Sequence, residues 1–248
     1  LVMAKKEHSE PVKVFFTGMN HVILKMVEII MLIAPFGTFA ILAGLMVDMA
    51  GGDPQRIVDL LVILSKYTIT VMIGLAIMTF GIYPLILKAV TKRSIRKFFK
   101  DIGPAQMLAF STSSSAATLP LTMKCLTENA KVSKDVSGFV LPLGATINMD
   151  GTSCYQAIAA VFIANVMGVD LTFIDQLSII VTATLASIGS AAVPGAGIVM
   201  LAIVLSHLNV PVEGIAIILG VDRILDMCRT VVNVTGDAAI SIIMDHKK

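Results

Sequence analysis

The sequence predicts an all-α integral membrane protein in which helical hairpins that enter and leave on one side of the bilayer alternate with helices that cross it. Three observations carry this prediction. Hydrophobic residues make up 56% of the chain and charged ones only 15%, with a mean hydropathy of +0.88, far above the apolar share of a soluble domain. Long apolar runs recur, and several are interrupted midway by Ser, Asn, Asp, Gly and Pro. The positive charges lie in flanks that pair up on one side only if some of those runs turn back.

His21 to Met49 is the first apolar run, long enough to span a hydrocarbon core of about 30 Å even with the kink expected at Pro35. Asp48 to Arg56, with Gly51-Gly52 and Asp53-Pro54, reads as a turn. A second span follows from about Ile57 to Leu87, and snorkelling along the helix accounts for Lys66 within it. The densest basic stretch, Lys88 to Lys100, is then cytoplasmic by the positive-inside rule. The apolar stretch from about Pro104 to Met123 is interrupted by Ser111 to Ser115 and closed by a second basic flank, Lys124, Lys131 and Lys134. A crossing segment would put one of these flanks outside, whereas a re-entrant hairpin over 101–124 keeps both inside. A third span over 136–167 is broken by NMDGT. The linker GVDLTFIDQ after it and the flank SHLNVPVEG after the next broken run, Leu177 to Leu208, both lack Lys and Arg. A second hairpin over 175–208, entering from outside, fits both flanks, and a last helix over 214–246 returns inward to Lys247-Lys248.

This parity exposes an inverted repeat of a re-entrant helical hairpin plus a transmembrane helix with Asn and Asp at its heart: Asn148 and Asp150 in one unit, Asn233 and Asp237 in the other. Inverted repeats with broken helices are the architecture of secondary transporters, with binding near the midplane. The last helix carries the strongest chemical signal. In DRILDMCRTVVNVTGD, residues Asp222, Asp226, Arg229, Asn233 and Asp237 fall at i, i+4, i+7, i+11 and i+15, within one narrow stripe. Each charge at the bilayer centre costs roughly 2.5 to 3.5 kcal/mol on insertion scales, so such a stripe normally faces a pathway or site. A structural Asp226–Arg229 pair is the plainer alternative, although three carboxylates and an amide exceed what one arginine must neutralise.

The breaks have chemistry of their own. At the first tip, STSSSAATLP, Ser113, Ser114 and Ser115 can cap the returning arm, whose free N–H groups and positive dipole end suit a carboxylate; a flexible loop explains the serines equally well. The second tip, SIGSAAVPGAG, ends one arm with carbonyls at Ser187, Ile188 and Ser190 that suit a hard cation, and starts the next after Pro194 with N–H groups that suit an anion. NMDGT sets Asn148 and Asp150 beside Gly151 in mid-span, which favours local unwinding. Thr146, Asn148, Asp150, Asn233 and Asp237 offer the several oxygens a dehydrated Na⁺ needs, or form a polar network without an ion. Cys125, Cys154 and Cys228 have no metal spacing and read as free thiols. A net charge of +2 without a basic stripe gives no case for nucleic acid. The opening LVMAKKEHSE lacks a starting Met and a signal-peptide pattern, so a fragment of a longer chain is expected.

Together these residues resemble the dicarboxylate/amino acid:cation symporters, the glutamate transporter family, from about Asn20 to Met244. The serine-rich tip before TLP, NMDGT, VPGAG and DxxxDxxRTxxNVxGD occur in the family's order and spacing. The resemblance implies a partial scaffold segment over 1–55, a cytoplasmic stretch and one transmembrane helix, and a moving transport domain over 56–248. It implies a substrate site lined by Ser114, Ser115, Val193, Ala196 and Gly197, with Asp226 for the α-amino group, Arg229 for the side-chain carboxylate, and Thr230 and Asn233 for the remaining polar groups. It implies one sodium site from Gly144, Asn148, Asn233 and Asp237, a second from Thr146, Ser187, Ile188 and Ser190, and a third from Asn148, Asp150 and an earlier helix upstream of this chain. Ala192 and Ala116 stand where members commonly have smaller or polar residues, Gly for the first and Ser or Gly for the second, and Ser113 stands where some prokaryotic members carry Arg, for which Arg223 is a candidate substitute.

The expected function is therefore not enzymatic. It is elevator-type symport of glutamate or aspartate with Na⁺ across the cell membrane by a multi-pass protein that is a homotrimer when full-length. A proton-coupled carrier or a C4-dicarboxylate carrier is the rival within the family, and Asp226 argues against the latter, since a substrate without an amino group leaves that carboxylate unpaired. An intramembrane aspartyl protease lacks a second catalytic Asp in a suitable motif and leaves the hairpins unexplained, and a purely structural membrane subunit is the third option, which isotope uptake into vesicles decides. Single cysteines at Ser94 and Ser133 are expected to label only from the cytoplasm, and at Thr172 and Asn209 only from outside; opposite-side labelling within either pair would make that hairpin a span.

Overall fold

The residues that the computed structural model describes, 6–50 and 54–247, are mostly helical, and no strand occurs among them. Of the expected turn, Asp48 to Arg56, both ends are helical, the first helix continuing to Ala50 and the next starting at Pro54, while Gly51 to Asp53, like the side chain of Pro35, lie outside the described residues. Contacts divide the molecule into two compact units, Leu1–Gly44 and Leu45–Lys248. The first is essentially one helix. This helix, α1, runs Lys6–Ala50, starting well before the apolar run that predicts it, and Phe15, Phe16, Ile30, Leu32, Phe36 and Phe39 are exposed along it.

The second unit is built around the last helix, and its elements follow in chain order. Helix α2, Pro54–Ala76, passes through a π-helical turn, Ile77–Ile82, into α3, Tyr83–Thr91. Within it Ile57–Thr91, 35 residues, is long and apolar enough to cross a membrane by length and composition. Lys66 is on its exposed side. Next come α4, Ile95–Thr112, and α5, Ser115–Lys124, which fold against each other. Helix α4 starts six residues before the expected hairpin, because the basic residues are good helix formers and Phe98 and Ile102, at i and i+4, bury one face completely.

Helices α6, Lys134–Ile147, and α7, Asp150–Val166, replace the third span. The break is at Asn148 (φ −94°, ψ 66°) and Met149 (φ −101°, ψ 57°), within the NMDGT motif. Helices α8, Phe173–Ile188, and α9, Ala196–His207, pack together across the seven residues 189–195. The last helix, α10, Ile215–His246, is unbroken; at 1.5 Å per residue its 32 residues reach about 48 Å. It packs against α2, α3, α4, α6 and α7, so it is the axis of the unit. Tyr155, Phe98, Leu87, Leu126, Leu141 and Ile163 are fully buried around it. The three cysteines are free.

The far end of α10 is tied to the start of α6. Ser133 is the N-cap of α6, its hydroxyl accepting from the Val136 N–H at 3.4 Å, while its own O–H and N–H both donate to Asp245 Oδ1, at 2.6 and 3.2 Å. Loss of a cap and of a hydrogen bond to a charged group each costs about 1 to 2 kcal/mol. Ser133→Ala is therefore expected to lower the thermal midpoint of the purified full-length protein by several degrees, as read by unfolding in detergent, without changing its oligomeric state.

Candidate functional site

The polar stripe of α10 is buried along its length: Asp222, Asp226, Arg229, Thr230, Asn233 and Asp237 are each less than a tenth exposed. Arg229 Nε donates to Asp226 Oδ1 at 2.9 Å, one turn back on the same helix. Its Nη1 lies 3.9 Å from Asp222 Oδ1, and its guanidinium carbon is 4.5 Å from the ring centroid of Tyr155 on α7. Two carboxylates and an aromatic face thus surround one guanidinium that cannot lose its proton. Even so, Nη1 and Asp222 Oδ1 make no hydrogen bond among the described residues. The Asp226–Arg229 pair exists, and its members also line a cavity.

That cavity lies between the two hairpin tips. Ser113, Ser115, Val193, Gly197, Asp226 and Arg229 are among its walls, and its volume is about 10 Å³, room for about one water. The first tip turns on Ser113, in the left-handed region at φ 51°, and Ser114 caps α5 by accepting from the Ala117 N–H at 3.2 Å. The Ser114 hydroxyl donates to the Ala192 carbonyl at 2.7 Å, and the Ala116 N–H lies 3.4 Å from the same oxygen. The tips are therefore hydrogen-bonded to each other over the cavity. The second tip is anchored to α10 as well: Gly195, at φ 77°, donates its N–H to Asp226 Oδ2 at 2.9 Å. Gly197 lies so close to Arg229 that a Cβ there would collide with the guanidinium.

A second polar centre forms at the break between α6 and α7. Asn148 Nδ2 donates to Asp237 Oδ1 at 3.0 Å, and Gly144 is in close contact with the same carboxylate. Asn233 holds the first turn of α7, accepting from the Gly151 N–H at 2.8 Å and donating to Thr152 Oγ1 at 3.3 Å. Asp150, which opens α7, accepts from the Tyr83 hydroxyl. Among the described residues no Lys or Arg is within ion-pair distance of Asp150 or Asp237. Carboxylates held by neutral donors, with oxygen-bearing groups around them, fit a hard cation such as Na⁺. A cavity of about 350 Å³ brings Asp150 together with Ser187, Ile188, Ser153 and Thr184.

The structure gathers Ser115, Val193, Ala196, Gly197, Asp226, Arg229, Thr230 and Asn233 around the central cavity, with Ser114 behind its wall as a cap. Gly144, Asn148 and Asp237 meet at the break. Thr146 is exposed and donates to the Leu143 carbonyl, Ser187 and Ile188 line the cavity beside Asp150, and Ser190 lines the central cavity. Arg223 is exposed and is not among the residues lining that cavity. Sequence reasoning missed Tyr155, Tyr83, Met149 and Thr152. Thr152 is the T of NMDGT and could have been read as a further oxygen, whereas an aromatic in an apolar helix gives no signal.

With the geometry in place, comparison with known proteins adds a lineage. The profile of the sodium:dicarboxylate symporter family matches residues 1–247. The chain is 45% identical over 246 residues to excitatory amino acid transporter 1 of Ambystoma tigrinum, covering 97% of this chain and 44% of that protein. It is 43% identical to the Homo sapiens protein of the same name over 246 residues, with the same coverage, and 43% identical over 232 residues to an excitatory amino acid transporter of Caenorhabditis elegans, covering 94% and 45%. The chain thus spans a little under half the length of these relatives.

The break makes a direct prediction about cations. Sodium is expected to raise the thermal midpoint of the purified full-length protein, and Asp237→Asn to raise the Na⁺ concentration giving half that shift roughly tenfold, the equivalent of about 1.4 kcal/mol. An unchanged titration would remove Asp237 from any cation site.

Proposed function

This chain belongs to the sodium:dicarboxylate symporter family, and we propose that it forms the site-bearing part of a multi-pass cell-membrane symporter that imports glutamate or aspartate with Na⁺. The observation that carries this reading is the buried Asp226–Arg229 pair lining a cavity between two helical tips. A zwitterionic amino acid needs an acceptor for its ammonium, which Asp226 supplies, and donors for its carboxylate, which the tips supply. Only an acidic side chain also needs a fixed cation, and Arg229 offers it a planar fork. Thr230, Asn233, Ser114, Ser115, Val193, Ala196 and Gly197 complete the substrate site in this reading.

A cavity with room for about one water cannot hold an amino acid, so binding requires the tips to part, breaking the Ser114–Ala192 and Gly195–Asp226 hydrogen bonds. In this reading α4 with α5 and α8 with α9 are re-entrant hairpins whose tips meet at the midplane from opposite sides, and their parting is the gate. Sodium is carried at Gly144, Asn148, Asn233 and Asp237, and at a second set drawn from Thr146, Ser187, Ile188 and Ser190, with Asn148 and Asp150 serving a third. Occupation by sodium would screen Asp150 and Asp237. In this reading the transport domain, 56–248, moves as one body past a scaffold that includes 1–55, an elevator motion. The full-length protein is a homotrimer in the lipid bilayer. Proton coupling and C4-dicarboxylate transport are the rivals; the second would leave Asp226 without an ammonium partner.

The test is substrate choice. A charge-assisted pair of this kind is worth about 1.5 to 3 kcal/mol, roughly ten- to a hundredfold in affinity. Arg229→Cys in the full-length transporter is expected to lose glutamate and aspartate binding while accepting serine or alanine, and Arg229→Lys to recover little. Competition by serine, aspartate and succinate against labelled substrate in reconstituted vesicles reads this out. Undiminished aspartate affinity in Arg229→Cys would sink the assignment.

A further inference from the structure

One contact at the cation centre comes from outside every motif. Tyr83 is the first residue of α3, directly after the π-helical turn Ile77–Ile82, and is buried. A π turn closes hydrogen bonds one residue later than an α turn, so it rotates everything that follows by about 100° relative to an uninterrupted α-helix. The rotation decides which side chain faces the break between α6 and α7. Here it is Tyr83, whose hydroxyl donates to Asp150 Oδ2 across 67 residues of sequence.

The backbone of α10 makes room for this phenol. A Cβ at Gly236 would lie 2.7 Å from the Tyr83 oxygen, 2.8 Å from its ring carbon Cζ and 3.1 Å from Asn148 Nδ2. Any side chain at 236 would therefore displace the phenol, and the next residue, Asp237, takes its hydrogen bond from that same Asn148 amide. Two carboxylates, Asp150 and Asp237, are thus each oriented by one neutral donor, Tyr83 and Asn148. A neutral donor fixes a carboxylate without cancelling its charge, as a fixed cation would, so the pair remains attractive to a mobile cation. With Oδ2 committed to the phenol, Oδ1 of Asp150 makes no hydrogen bond to a described residue and is left for a ligand.

We propose that Tyr83 is a positioning residue for cation binding, holding the Asp150 carboxylate in its ligating orientation through its hydroxyl, with Gly236 as the clearance that admits it. The inference rests on the reading of Asp150 as a sodium ligand, so the test separates the two. In the full-length transporter, Tyr83→Phe keeps the ring and removes only the donor. It is expected to raise the Na⁺ concentration for half-maximal aspartate uptake by about three- to tenfold, and likewise the Na⁺ needed to raise the thermal midpoint in detergent. The aspartate KM at saturating Na⁺ should stay within about twofold, a split that a merely structural role for the ring would not produce. Gly236→Ala, which displaces the same hydroxyl from the other side, is expected to shift Na⁺ dependence in the same direction, and decides the matter if Tyr83→Phe does not fold. Asp150→Asn is the reference. A Na⁺ titration unchanged by Tyr83→Phe, or by Gly236→Ala, while Asp150→Asn shifts it, overturns the role of Tyr83 and leaves the sodium reading standing. A titration unchanged by Asp150→Asn overturns both.

Discussion

A guanidinium buried out of reach of water is the constraint on which this architecture depends. Arg229 cannot discharge itself by losing a proton, so every neighbour must either neutralise it, stack on it or stay small enough to let it fit. Asp226 binds Nε, Asp222 stands at the edge of ion-pair range, Tyr155 offers its ring face and Gly197 supplies the missing Cβ. These residues come from α7, α9 and α10, which is why a single charged group holds three elements in register. The arrangement is also incomplete by construction, because Nη1 and Asp222 Oδ1 are left without hydrogen bonds among the described residues. An unmade buried hydrogen bond costs about 1 to 3 kcal/mol, and a ligand with a second carboxylate would relieve that cost at Nη1.

The Asp226 carboxylate links this charge to the second tip. Its two oxygens serve different masters: Oδ1 takes Arg229 and Oδ2 takes the Gly195 N–H of the second tip. A ligand ammonium arriving at Asp226 competes directly with that tip contact. The tip-to-tip bond from Ser114 to the Ala192 carbonyl joins two neutral groups, an ordinary hydrogen bond worth about 0.5 to 1.5 kcal/mol net. Among the described residues the two tips are thus joined by a few polar contacts. The break between α6 and α7 is held differently. Asn233 accepts from the Gly151 N–H and donates to the Thr152 hydroxyl, so a free N–H in the first turn of α7 has a fixed partner on α10.

Much of this was legible in the residues alone. The stripe of α10 followed from helical periodicity, since residues separated by four, seven, eleven and fifteen positions must share a face. The unwinding at NMDGT followed from placing Asn, Asp and Gly in mid-span, and the structure breaks the helix at Asn148 and Met149. Helix starts were less legible. The basic stretch before the first hairpin reads by charge only as a cytoplasmic flank, and from Ile95 it is helix, because Phe98 and Ile102 give it a face to bury. Local composition reports solvation, while the length of a helix is decided by what its apolar residues find to pack against.

The sequence by itself determined that the chain is helical and membrane-embedded, where its helices are interrupted, and that one face of α10 carries the charge. Those properties depend on composition and on spacing within a single segment. Only the tertiary structure decided which side chains meet across elements: Tyr155 beneath Arg229 on that face, Tyr83 at Asp150 on α7, Gln106 donating to Thr235 at 2.8 Å across 129 residues, and Asp245 receiving Ser133. The physical reason is that a helix's own periodicity specifies which side chains share a direction but not what lies opposite. Partners opposite are set by the rotation and offset of packed helices, and one π turn, Ile77–Ile82, shifts such a pairing by about 100° without leaving a mark in hydropathy.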